Sequence, residues 1–275
     1  MMTGFMKDGR LVFGVAILLL VVGLAIGAGM IAPVDPLEMV GAPLIWPGED
    51  PAFPFGSDIL GRDLWSGIVY GARTTLAIGI VSALISTGVG AVVGILSGFY
   101  GGLLDDVLSK LTELFQTIPA LLLVIALIVV IGSSIEAVVI AIGIVSWPPI
   151  ARLARGEVLA IRNRDFMQAC VSVGMSDARM VLRHLVPNVL PPILVASSVT
   201  TATSILIESG ISFLGLGDPN VMTWGSMIGA GRELIRTEWY LTAIPGCAIL
   251  LTVMALNMVT EAVSDRLNPK AYQGG

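Results

Sequence analysis

Charged residues make up only 13% of the 275-residue chain, aromatic residues 6%, and histidine occurs once, as His184. Soluble domains carry roughly a quarter charged residues, so water is not the main solvent of this chain. One histidine and two distant cysteines, Cys170 and Cys247, cannot assemble a Cys/His zinc site, and no metal is expected. Lysine occurs only at 7, 110 and 270, after Met6, Ser109 and Pro269. Gly-Lys-Ser/Thr is therefore absent, and with it the loop whose amides and lysine hold nucleotide phosphates. A membrane-embedded enzyme would need a nucleophile beside a base, or a metal cluster, and a single histidine in a polar loop supplies neither. The chain is expected to be a non-enzyme, with no cofactor of its own and no nucleic acid as partner.

What is abundant is apolar sequence, 55% of residues, with a mean hydropathy of +0.91. A bilayer core requires about 20 mostly apolar residues in helical form, because nothing there satisfies open backbone groups. Leu11 to Ile31, Thr75 to Leu96, Leu114 to Ser134, Leu185 to Ile207 and Tyr240 to Thr260 contain no Asp, Glu, Lys or Arg. Ala137 to Ala151 is shorter and ends at Trp147, Pro148 and Pro149, and it is taken as a sixth span. The first run exceeds the apolar core of about 7 to 15 residues in a signal peptide, so it is read as a retained span. Glycines 88, 90 and 94 suit close helix packing, and Pro119, Pro191, Pro192 and Pro245 are expected to bend or start helices.

Six spans with both termini cytoplasmic put eleven of the 15 basic residues inside: Lys7, Arg10, Lys110, Arg152, Arg155, Arg162, Arg164, Arg179, Arg183, Arg266 and Lys270. The positive-inside rule selects this orientation over its inverse. The segment from Pro33 to Ala72 then lies outside and is acidic, and Asp58, Arg62 and Asp63 read as an ion-paired turn rather than a cation site. The expectation is an all-α, polytopic membrane protein of six helices, with a helical cytoplasmic loop between helices 4 and 5.

That loop, Arg152 to Pro187, is too polar to enter lipid. Asn163 can cap a short helix with Asp165 in its first turn, Gly174 can end it, and a second can begin at Ser176 and Asp177. Phe166, Ala169, Cys170 and Val173 share one face of about three turns. Such a short helix is marginal alone, so its stripe must dock on this chain's spans or on another protein.

Gln168, Ala169 and Cys170, then Gly174, then His184-Leu185-Val186-Pro187, resemble the EAA loop of ABC importer permeases. Phe55-Gly-Ser-Asp-Ile-Leu-Gly-Arg-Asp63, Tyr70-Gly-Ala-Arg73, Ser212-Phe-Leu-Gly-Leu-Gly217 and Trp224-Gly-Ser-Met227 resemble blocks of the dipeptide/oligopeptide/nickel permeases, in particular the C-type subunit. Where the family signature begins Glu-Ala-Ala this chain has Gln-Ala-Cys, which removes an ion pair and leaves an amide able to hydrogen-bond. The resemblance implies a multi-pass subunit of the bacterial cytoplasmic (inner) membrane, importing di- or oligopeptides or related solutes by alternating access. It implies a heterodimer with a paralogous permease, two cytoplasmic ATPases that bind the ATP and Mg, and an extracytoplasmic binding protein that delivers substrate. It implies residues 1–73 as tail, first helix and acidic outer segment, and 74–275 as a type-I transmembrane domain with its loop at 152–187. Asp165, Phe166, Gln168, Ala169 and Gly174 become the expected ATPase-coupling residues.

Acidic groups near spans are functional candidates by default. Glu208 is the deepest, and with Thr201 and Ser204 forms the candidate substrate path, against the plainer reading of hydrogen bonds to helix carbonyls. The alternative function is an ion-coupled secondary transporter, which often shows repeated halves and broken helices at mid-membrane.

Overall fold

Asp63 sets where the bundle begins. In the computed structural model, which describes residues 9–267, its carboxylate accepts from the backbone N–H groups of Trp65 and Ser66 and from Ser66 Oγ, capping a 37-residue helix. Lys7 and Lys270 lie outside the described residues, as do both termini.

The elements run α1 (Gly9–Ile31), α2 (Leu64–Tyr100), α3 (Gly102–Thr117), α4 (Ala120–Ile131), α5 (Ile135–Val145), α6 (Pro148–Arg162), α7 (Asp165–Ser172), α8 (Asp177–Met180), α9 (Val186–Phe213), α10 (Trp224–Gly231) and α11 (Tyr240–Leu267). Five stretches are long and apolar enough to cross a bilayer: α1, α2, α5 with α6, the run into α9, and α11. A sixth exists when α3 and α4 count as one span broken by an 88° bend. The break therefore falls in the run Leu114 to Ser134, whereas the shorter run after it belongs to a continuous 28-residue stretch, Ile135–Arg162. Pro119 is the reason: lacking an N–H, it cannot close the helical bond onto Phe115 and restarts the helix. The new helix, α4, has 12 residues and is about 18 Å long, roughly half a bilayer.

α1 packs as a constituent of the bundle. Val21 and Ala25 join Ile68, Leu76 and Ile249 in one buried cluster, and Arg73 Nε donates to the Ala25 carbonyl at 2.9 Å. The segment between α1 and α2 is held by turns. Asp58 Oδ1 accepts from the N–H groups of Leu60 and Arg62, at 2.7 and 2.9 Å. This corrects the ion-paired turn: among the described residues Arg62 forms no ion pair, and the carboxylates are spent on backbone N–H groups because those are closer and otherwise orphaned. Ser57 ties the segment down, donating to Ala42 O at 2.6 Å while its own carbonyl accepts from Tyr240 OH at 3.2 Å.

α2 and α6 touch along a stripe of glycine. A Cβ on Gly90 would meet Trp147 O and Ile150, one on Gly94 would meet Ala151 O and Ala154, and one on Gly98 would meet Val158. The stripe is thus 90, 94 and 98, spaced at four, while Gly88 faces open space. At the Gly174 side of the bundle Arg155 of α6 makes a two-pronged contact with Asp105 of α3, Nε to Oδ1 at 2.7 Å and Nη2 to Oδ2 at 2.6 Å. Ser97 of α2 and Ser109 also donate to Asp105. Asp105→Ala is expected to lower stability by about 1–2 kcal/mol, since charge-assisted bonds are worth roughly 1.5–3 and Arg155 keeps some solvent contact. Thermal unfolding in detergent checks this, and a cycle with Arg155→Met should recover most of the loss as coupling.

Candidate functional site

The loop after α6 is a short helix on a hinge. Asn163 ends α6, and the residue at the N-cap of α7 is Arg164, whose side chain makes no capping bond. This corrects the expected Asn163 cap by one position: the chain turns through Asn163 while still bonded to α6, leaving Arg164 in the extended conformation at the helix entrance. Asp165 is the first residue of α7, favourable at the positive end of the dipole. Gly174 follows the helix with φ +73°, and Ser176 precedes α8, which starts at Asp177. A π-helical turn over Val181–Leu185 then carries His184 and runs straight into α9.

The faces of α7 divide the apolar stripe. Met167 is 3% exposed and joins Phe99, Val158, Ile161, Met180, Leu185 and Val189 in a buried cluster, with Cys170 packed against it. Phe166 and Val173, by contrast, are 40% and 77% exposed, and Ala169 is exposed beside them. Phe166, Ala169 and Val173 stand at helical spacing on a face that none of the described residues covers, bordered by exposed Asp165 and Gln168. Arg162, Arg164, Arg179 and Arg183, before and after α7 in the chain, are all exposed. The anchors Met167 and Met180 were not singled out by sequence reasoning, although Met167 stands three residues before Cys170 on the docked side.

Of the membrane candidates, Ser204 and Glu208 are both 0% exposed. Glu208 Oε1 accepts from Ser212 Oγ at 2.7 Å and Oε2 from Ser209 Oγ at 3.4 Å. Thr201 donates to Ser197 O at 2.9 Å, and its own carbonyl lies near Gly79 of α2. Thr201, Ser204 and Glu208 thus share the side of α9 turned into its own chain. Thr203 is exposed and Thr200 half-buried, each bonded to the carbonyl four residues before it, at 3.0 and 3.1 Å. Ser204 Oγ has no hydrogen-bond partner among the described residues. Cys170 and Cys247 are free thiols, and among the described residues no group of three His, Cys, Asp or Glu converges as a metal site would require.

The fold and the loop have counterparts. Residues 90–272 match the model of the family described as binding-protein-dependent transport system inner membrane component. The chain is 35% identical over 263 residues to a di/tripeptide transport system permease protein DppC of Pseudomonas aeruginosa, covering 94% of this chain and 87% of that one. It is 32% identical over 275 residues to the dipeptide transport system permease protein DppC of Haemophilus influenzae, covering 98% and 93%. A solved structure of the MetNI methionine ABC transporter in an inward-facing conformation superposes with a TM-score of 0.57 at 21% identity, covering 73% of this chain and 97% of that chain.

Proposed function

Because the chain belongs to the family of binding-protein-dependent transport system inner membrane components, we propose that it is one of two membrane-spanning subunits of an ABC importer of di- or oligopeptides. The peptide assignment rests on the names of its relatives, the dipeptide and di/tripeptide permeases. Its companions are a paralogous permease, two ATPases that bind ATP and Mg, and a binding protein on the opposite face. Both termini and α7 lie in the cytoplasm, and residues 1–73 form an added helix and outer segment beside the transmembrane domain of 74–275.

The observation that carries this reading is the uncovered face of α7. A helix of 8 residues does not hold itself in water. Met167 fastens it to the bundle, and the outward Phe166 and Ala169, with Asp165 and Gln168, are left for an ATPase groove. Closure of the ATPases on ATP pushes α7, and the rigid continuation through α8 into α9 passes the movement to the spans, biasing inward-open against outward-open states.

Phe166→Asp is expected to abolish co-purification of the ATPases, since an unpaired carboxylate replaces an apolar anchor in a desolvated contact. A Phe166→Cys chain should crosslink to an ATPase subunit. Uptake of peptide by this chain alone, with no ATPase present, would instead establish an ion-coupled carrier.

A further inference from the structure

A cavity of about 390 Å³ opens where three helices are interrupted or centred. Its walls are the elbow between α3 and α4, the junction of α5 and α6, and the middle of α9. Pro148 and Pro149 sit at the centre of the stretch Ile135–Arg162, and Thr200 at the centre of α9, so the cavity lies at half the depth of the bundle. Its size falls within the range of small-ligand pockets, about 300–1,000 Å³.

The lining chemistry is specific. No Asp, Glu, Lys, Arg or His borders the cavity. Its polar groups are Gln116, Ser146, Thr200 and Thr203. Ser146 Oγ is buried with no hydrogen-bond partner among the described residues. The hydroxyl protons of Thr200 and Thr203 are committed to Ala196 O and Val199 O, so they present lone pairs. Pro119 and Pro149 lack the N–H groups that would close onto the carbonyls of Phe115 and Val145, two further lining residues. Backbone left open at membrane depth is tolerated where it borders a cavity.

A second cavity, about 650 Å³, lies nearer the α7 side, bordered by Glu157, Arg164, Asn188 and Ser264. One stripe of α9 joins the two: Asn188, Pro192 and Val195 line the second, and Val199, Thr203 and Ile207 the first. These positions recur every three or four residues, and so lie on one side of the helix.

We propose that the uncharged cavity is the mid-membrane contact site for the peptide main chain, and that the stripe of α9 leads from it to the charged inner vestibule. The proposal rests on the importer reading above and adds the residues and the chemistry. Acceptors at Thr200, Thr203, Phe115 and Val145 receive peptide N–H groups and the terminal ammonium, while Ser146 and Gln116 donate to peptide carbonyls. With no fixed charge in the wall, peptides of different side-chain charge pass the same point.

The test uses the complete importer, with its partner permease, ATPases and binding protein, in vesicles supplied with labelled di-, tri- and tetra-alanine. Thr203→Trp, which fills the cavity, should lower uptake per ATP hydrolysed at least tenfold. Leu19→Trp, on the exposed side of α1, should leave it unchanged. In a chain carrying Cys170→Ala and Cys247→Ala, Thr203→Cys should react with a water-soluble methanethiosulfonate and be slowed severalfold by the alanine peptides. Normal uptake by Thr203→Trp, or an unreactive Thr203→Cys, overturns this site and leaves the importer reading standing. A wild-type importer that moves none of the three peptides overturns both.

Discussion

Replacing Gly94 by alanine is expected to cost the most folded protein of any single-methyl change along the contact between α2 and α6. The added Cβ would stand 2.3 Å from Ala151 O, 2.7 Å from Ala154 Cβ and 2.9 Å from Arg155 N. Two of these three atoms are main chain of α6, so no rotamer change relieves the clash and the two helices must separate. Overpacking of this kind costs about 1–3 kcal/mol. Separation would also disturb the Ile150, Ala154 and Val158 contacts and the Arg155 to Asp105 pair. The measurement is the yield and thermal midpoint of purified chain for Gly94→Ala beside Gly88→Ala, where nothing lies within 4 Å. Gly88→Ala should behave as wild type. Equal behaviour of the two variants would show that α2 and α6 do not meet along this stripe.

Gly174→Val is expected to leave the chain inserted and folded yet reduce ATP-driven uptake about tenfold. A Cβ at Gly174 meets nothing within 4 Å, so crowding is not the issue; the φ of +73° is. A left-handed conformation costs an L-residue roughly 1–2 kcal/mol, and β-branching adds to it. Such a residue turns the chain differently after α7 and tilts Phe166 and Ala169 away from the proposed ATPase contact, and about 1.4 kcal/mol of lost coupling is a factor of ten. Asparagine visits this conformation readily, so Gly174→Asn should retain most uptake. Assays of peptide uptake and ATP hydrolysis in parallel check both, and similar losses for valine and asparagine would mean that backbone shape at this position is not what matters.

Much of this architecture is legible in residue order. The long uncharged runs that become α1, α2, α9 and α11 declare themselves because a bilayer demands length and apolarity, both of which are one-dimensional properties. Direction is not one-dimensional. The run Leu114 to Ser134 reads as one span, and only Pro119 signals the 88° elbow that divides it. Gly88 looked equal to Gly90 and Gly94 because spacing identifies a stripe only once the partner helix is in place; the third member is Gly98, opposite Val158. On α7 an apolar pattern of four residues was visible, but Met167 was needed to see which side is fastened and which is free. Likewise four hydroxyls crowd positions 200 to 204, and packing alone distinguishes the pair beside the cavity from the pair facing the interior.

The seating of α1 against α11 has a consequence for how the chain is made. Gly14 lies against Ala255 O and Met258, and Arg10 stands 3.8 Å from Glu261, so the earliest described helix nests on the latest. More than two hundred residues separate them. At about 5–20 residues per second the ribosome needs on the order of ten to forty seconds to deliver the second after the first. Through that interval the emerging α1 has lipid, a chaperone or the insertion machinery for company along the groove that α11 will fill. A nascent chain halted before Tyr240 therefore leaves this flank of α1 without its protein neighbour.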